Sequence, residues 1–232
     1  MTCKFSFEVP LKSLELQVEF SDYIFAIAPW FENETYRNFV HEHRSQLPLY
    51  LDNGAYEQGA SIDIEKYIEL IRMLHPDVVV APDVYSDSKG TIELTRQFFK
   101  HSLPTDTKVM IVPQGRSIIE WTRCLRTLYS EFENRFHLVG IPRVMYPNRL
   151  FLSIYSFKLT SKPIHILGCP DPNELPEIFD SGVPVESLDT SYPTRKALGK
   201  VGLDDRIDFF NDRVSFKSMQ KAVNEFFQLI QA

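Results

Sequence analysis

Three aspartates in this chain directly follow apolar runs, where a strand would deliver them to its end: Asp52 in LDNGAY, Asp83 in VAPDVY and Asp189 in SLDTSYPTR. Gln114 and Gly115 in VPQGR, Gly140 in LVGIPR and Gly168 in ILGCP hold the same place after the intervening runs. Any one of these is an ordinary turn residue. Six consecutive run ends carrying Asp, Gln or Gly point instead to one shared site. Two converging carboxylates suit chemistry at a glycosidic carbon: one attacks the anomeric centre, the other handles the proton of the leaving group. Capture of the covalent intermediate by water or by a different base then separates a hydrolase from a transferase. Asp83, with the Gln114 amide and the Gly140 backbone, supplies acceptors and donors that can read a purine edge.

Such a site needs elements that bring the run ends together. The apolar runs are Asp22 to Ala28, Pro48 to Leu51, Asp77 to Ala81, Lys108 to Val112, Phe136 to Gly140, Pro163 to Leu167, Val183 to Leu188 and Arg206 to Phe210. Helical periodicity fills the gaps, as in Ile62, Ile64, Tyr67, Ile68, Ile71 and Leu74, or Ile118, Ile119, Cys124, Leu125 and Leu128, and Ser215 to Ile230 adds a last amphipathic stretch. Strand then helix, repeated eight times, predicts an α/β chain folded as one (β/α)8 barrel over residues 1–232, with a doubly wound open sheet as the alternative. In such barrels the active site gathers at the carboxyl ends of the strands, which is where the polar residues fall.

Composition narrows the class. With 232 residues, 44% hydrophobic, the chain can bury one substantial core. The cysteines Cys3, Cys124 and Cys169 are too scattered for a disulfide framework or a zinc site, which fits a reducing cytoplasm and no metal. No apolar run is long enough for a membrane span, and the N-terminus carries no signal-peptide pattern. The six histidines offer no zinc pairing and are expected at surface or capping positions; the tight cluster His41 to His43 is expected in the first helix. The formal charge of −6 disfavours a protein coated in phosphate contacts. Its distribution is uneven: 20 acids face 13 Lys and Arg up to Glu133, but 11 face 12 over the remaining 99 residues. From Asn134 to Pro170 there is no acid at all, while Arg135, Arg143, Arg149, Lys158 and Lys162 fall there. That stretch is either a solvated basic face or a phosphate-tracking surface.

The motifs, taken in order, resemble the tRNA-guanine transglycosylases and their relatives that install 7-deazaguanines in DNA. LDNGAY resembles the family's D-S-G-G-[YF], APD its substrate aspartate, PQG its V-Q-G, VGI its G-G-L and ILG its M-G. Most specific is DTSYPTR, Asp189 to Arg195, similar to D-x-x-x-P-T-R around the nucleophile. The resemblance spans Leu51 to Arg195. It implies that Asp189 attacks C1′ of the target nucleoside and that Asp52 is the acid/base partner. It implies that Asp83, Gln114, Gly115, Gly140, Ile141 and Gly168 hold the base, with Tyr56 stacked on one face and Leu167 covering the other. Arg195, Arg143 and Lys196 would contact the nucleic acid.

The chain also departs from that family. No C-x-C-x-x-C zinc signature follows Arg195, Asn53 stands where the family has Ser, and Pro142 with Arg143 replaces small residues. Loss of the zinc element removes the tRNA-specific part. The leading expectation is therefore a minimal enzyme, needing no cofactor, that exchanges guanine in DNA for a free 7-deazaguanine base such as preQ0, as in phage DNA modification. A tRNA transglycosylase is the runner-up. Base exchange or hydrolysis on free nucleosides follows, and a non-catalytic accessory subunit comes last, because both Asp52 and Asp189 are kept. The oligomeric state is left open.

Overall fold

A computed structural model of the chain describes residues 3–59, 61–200, 202 and 205–231; Met1 and Thr2 of the N-terminal stretch weighed above lie outside the described residues. In chain order the elements are β1 (Lys4–Phe7), α1 (Glu15–Phe20), β2 (Ile24–Ile27), α2 (Glu34–His43), β3 (Leu49–Asp52), α3 (Ala55–Gln58), α4 (Ile64–Leu74), β4 (Val78–Val80) and α5 (Ser88–Phe98). They continue with β5 (Lys108–Ile111), α6 (Ile118–Phe132), β6 (Leu138–Ile141), α7 (Arg149–Thr160), β7 (Ile164–Ile166), α8 (Leu175–Asp180), β8 (Val185–Thr190), α9 (Tyr192–Ala197) and α10 (Phe216–Ile230).

The strands make one eight-stranded sheet in the order β1-β8-β7-β6-β5-β4-β3-β2, and every pair is parallel. Sequential order without reversal is the topology of a (β/α)8 barrel, not of a doubly wound sheet. The seam between β1 and β2 is held partly by side chains. Asp22 N–H donates to the Phe5 carbonyl at 2.8 Å, while Phe5 N–H donates to Asp22 Oδ2 at 2.9 Å. Phe7 N–H donates to Ser21 Oγ at 2.9 Å.

Period-two alternation divides each strand between two cores. Ile24, Ala26, Leu49, Leu51, Val79 and Ile111 face the surrounding helices. Tyr23, Phe25, Tyr50, Val78, Val80, Met110 and Leu138 fill the barrel interior. The longer helices α4 and α6 begin where polar caps satisfy their first N–H groups: Asp63 Oδ1 accepts from Lys66 N–H, and Ser117 Oγ from Glu120 N–H. Among the described residues, no helix is long and apolar enough to cross a membrane.

Two expectations are corrected. Arg206 to Phe210 is not a strand; it is a loop at the barrel mouth, where Arg206, Ile207 and Phe209 line the cavity. Phe209 stacks on Trp30 with ring centroids 3.6 Å apart. The eighth strand is instead β1, at the other end of the chain, so Asp52, Asp83 and Asp189 belong to the third, fourth and eighth strands. The His41 to His43 cluster lies on α2, because the short helix α1 precedes it.

Candidate active site

The carboxyl ends of the strands surround a cavity of about 290 Å³ whose wall includes Asp52, Asp83 and Asp189 together with Glu8, Glu57 and Asp205. Tyr56, Gln114, Arg143, Leu167, Gly168 and Arg206 complete much of its rim and floor. The three aspartates singled out by the sequence therefore converge.

Asp189, second to last in β8, is buried at 2% exposure. Its Oδ2 accepts from the Gly168 N–H at 3.0 Å, and its Oδ1 lies 2.9 Å from His165 Nε2. His165 is fully buried inside the barrel, stacked on Phe25, and its Nδ1 lies 2.7 Å from Ser187 Oγ. A surface or capping role for this histidine is thus overturned. Its strand alternates, so His165 points inward with Leu167 while Ile164 and Ile166 face the helices. A bulge sets the match: Ile164 pairs with Val185 but His165 pairs with Ser187, skipping Glu186. Without that extra residue His165 would meet Glu186 in place of Ser187. A carboxylate can only accept, so Nε2–H donates to Asp189, and His165 bridges Asp189 and the Ser187 hydroxyl through its two ring nitrogens.

The rest of the DTSYPTR segment fixes the backbone around Asp189. Thr190 Oγ1 donates to the Cys169 carbonyl at 2.8 Å, and Thr194 Oγ1 donates to the Glu8 carbonyl at 2.5 Å. Arg195 is 2% exposed, giving Nη2–H to the Pro170 carbonyl at 2.9 Å and Nη1–H to the Gly202 carbonyl at 2.6 Å. It props the loops beside the cavity and does not line it. Lys196 pairs with Glu225 of α10 at 2.6 Å, on the helical side.

Asp52 closes β3, and its Oδ2 accepts from Gly54 N–H at 2.8 Å. Gly54 has φ +78°, and a Cβ there would sit 2.4 Å from Pro29 Cγ, so this turn needs glycine. Burial first, then the charge of Glu57, holds the Asp52 carboxyl well above the usual carboxylate range, against the Gly54 hydrogen bond. Asn53 is fully buried and donates to Asp83 Oδ1 at 2.7 Å and to the Ala81 carbonyl at 3.2 Å. Gln114 Nε2 donates to Asp83 Oδ2 at 2.5 Å, and its Oε1 accepts from Ser86 N–H at 3.2 Å. Burial pushes Asp83 up to about 6 even though both amides favour its charged form. The Gln114 amide thus acts first as a support for Asp83, and Asn53 is its counterpart.

The other base-holding candidates divide. Gly140 faces the barrel interior, where a Cβ would lie 2.8 Å from both Leu167 Cδ1 and Val112 Cγ2, two wall residues. Gly115 packs against the start of α6, and Ile141 points into the helix-facing core, so neither side of the cavity wall is theirs. Tyr56 is 40% exposed at the rim, edge-on to Tyr85 with centroids 5.7 Å apart. The Arg206 and Arg143 guanidinium carbons lie 5.6 and 6.0 Å from its ring centroid. The acid-free stretch does not form one basic face. Arg149 is buried in an ion pair with Glu174 and donates to the Leu167 carbonyl, Arg135 stacks over Phe99, and Lys162 lies over Phe136; Arg143 reaches the mouth.

Sequence reasoning missed Glu8, Glu57, His165 and Arg206. Glu8 directly follows β1, and its N–H donates to the Thr190 carbonyl at 3.0 Å. Glu57 stands at the rim, where desolvation, then the charges of Asp189 and Asp83, push its carboxyl up to about 7. The cavity wall combines an aromatic ring, Tyr56, an aliphatic side chain, Leu167, and several carboxyl groups, a lining that can receive a planar ring and transfer protons. The sequence matches no known family model, and comparison with curated proteins finds no match.

Proposed function

We propose that this protein is a base-exchange glycosyltransferase that replaces guanine in DNA with a 7-deazaguanine through a covalent aspartyl intermediate. The observation that carries the reading is the convergence of Asp189, Asp52 and Asp83 on one cavity, each held differently. Asp189, presented by His165 and Gly168, attacks C1′: its Oδ–C1′ bond forms as C1′–N9 breaks. Asp52, whose carboxyl burial holds above the usual carboxylate range, gives a proton to the departing base. An incoming 7-deazaguanine then loses its N9 proton to Asp52, N9 bonds to C1′, and the aspartyl ester is released. Asp83 accepts from the base's N1–H and exocyclic amine, with Tyr56 and Leu167 against its faces. DNA is favoured over tRNA by the absence of a C-x-C-x-x-C segment in the sequence.

The test is incorporation of a labelled 7-deazaguanine into DNA, with tRNA in parallel, by wild type and Asp189→Asn. Wild type labels DNA and forms a denaturation-stable adduct, and the variant does neither. A variant as active as wild type refutes the nucleophile. One observation favours a second reading, exchange or hydrolysis on free nucleosides: carboxyl groups outnumber guanidinium groups on the cavity wall. A nucleic-acid enzyme loses affinity steeply with added salt, whereas a nucleoside enzyme barely responds.

A further inference from the structure

We propose that Glu8 is a positioning residue for Asp189: a neutral carboxylic acid that donates its proton in a hydrogen bond to the Asp189 carboxylate and so shares the nucleophile's charge.

The backbone brings the two residues together. β1 pairs with β8 so that Ser6 faces Asp189 and Phe7 faces Thr190, and the Glu8 N–H extends the ladder to the Thr190 carbonyl at 3.0 Å. The Thr194 hydroxyl clamps the Glu8 carbonyl from the other side at 2.5 Å. The Glu8 and Asp189 side chains line the same cavity wall, and two-residue parity from Ser6, which pairs with Asp189, puts Glu8 on the same face of the sheet. Two carboxyl groups bond only if one keeps a proton. Asp189 already accepts on both carboxyl oxygens, from Gly168 N–H at Oδ2 and from His165 Nε2 at Oδ1. Glu8 has no comparable donor among the described hydrogen bonds, so the proton resides there. Burial, and then the charge of Asp189, act in the same direction on Glu8.

The other charged or titratable groups around Glu8 are Asp52 of β3, Glu57 on α3, Asp83 after β4, Arg143 in the turn after β6, and Tyr36 on α2, with Asp205 and Arg206 on the mouth loop. Arg143 opposes the shift and Glu57 reinforces it. When Asp189 forms its ester, the charge that Glu8 stabilised is lost, and its return on release restores the bond. The kinetic part of this inference rests on the reading of Asp189 as nucleophile; the proton's location does not.

The experiment follows the glutamate side-chain carboxyls by isotope-edited NMR from about pH 4 to about pH 9, spanning the ordinary carboxylate range. In the wild-type protein, Glu8 stays protonated after the exposed glutamates have titrated, and Asp189→Asn moves its midpoint down. Glu8 titrating with the exposed glutamates, or a midpoint unmoved by Asp189→Asn, overturns the assignment whether or not base exchange is ever found. Where exchange is measured, Glu8→Gln keeps a permanent N–H donor and stays within a few-fold of wild type, while Glu8→Ala loses about 10- to 100-fold in kcat. A Glu8→Gln as impaired as Glu8→Ala overturns the positioning role and makes Glu8 a proton-transfer residue.

Discussion

Gln114→Ala gives a quantitative check on the Asp83 support that needs no substrate. The 2.5 Å bond from Gln114 Nε2 favours the Asp83 carboxylate, and burial, the opposing effect, leaves the group at about 6. A hydrogen bond to a charged group is worth about 1.5–3 kcal/mol, and one pKa unit about 1.36 kcal/mol, so removing the donor raises Asp83 by roughly 1–2 units. Because the folded value lies above the unfolded one, Asp83 contributes stability below the unfolded pKa that is lost as pH rises through the folded pKa. In wild type that loss is complete a little above the folded value of about 6. In Gln114→Ala it continues to roughly pH 8, so the stability gap between variant and wild type widens by about 1.5–3 kcal/mol between about pH 5 and about pH 8. Urea unfolding of both proteins at each pH measures this, and the difference between them cancels the titrations that the substitution leaves unchanged. A gap of the same size at both ends refutes the argument that Gln114 supports the charged form of Asp83.

Asp52→Asn leaves the Gly54 N–H an acceptor but cannot move a proton, so single-turnover base exchange slows by about 10²–10⁴-fold with the fold intact; unchanged turnover removes Asp52 from the mechanism. Arg195→Met breaks two buried carbonyl contacts and lowers the melting temperature without changing the salt dependence of oligonucleotide binding. Arg206→Ala, at the exposed mouth, does the reverse and reduces the slope of log affinity against log salt by about 1; equal slopes would show that Arg206 meets no phosphate. Gly140→Ala drives Leu167 and Val112 toward the cavity, so KM for the incoming base rises more than kcat falls; a change in kcat alone contradicts that placement.

How far the site could be read from sequence turns on which strands were recognised. Seven runs are long and apolar because both faces of those strands are buried, which makes Asp52, Asp83 and Asp189 legible as strand ends. β1 reads KFSF, with an exposed Lys4 and an inward Ser6 in place of an apolar run. Had its alternation been taken as a strand, the same strand-end rule would have selected Glu8. His165 was hidden differently. It sits inside an apolar run, and only period-two parity with Leu167 shows that it faces the interior, while the bulge that aligns it with Ser187 has no mark in the sequence. Arg206 to Phe210 resembles a strand because Ile207 and Phe209 alternate, but Phe209 packs on Trp30 and Tyr36 and Ile207 lines the cavity. Arg195 and Arg149 show the converse limit, since a conspicuous arginine reports charge but not whether carbonyls and carboxylates have already claimed it.

The cavity's charge sets how the proposed acceptor must behave with pH. Glu8, Asp52, Glu57, Asp83, Asp189 and Asp205 oppose Arg143 and Arg206, a wall that by residue type repels a polyanion. Burial changes that balance. Glu57 reaches about 7 and is only partly charged at neutral pH, and burial acts in the same direction on Glu8 and Asp52. Acidification discharges Glu57 first and then Asp83, at about 6. Each step weakens repulsion of phosphate, yet the second removes the acceptor that reads the base edge. For a nucleic-acid enzyme, binding of an unreactive oligonucleotide therefore tightens from about pH 8 to about pH 5 while base exchange fails below about 6. A nucleoside enzyme loses exchange over the same range without any gain in oligonucleotide affinity, and oligonucleotide binding that weakens on acidification contradicts this account of the wall.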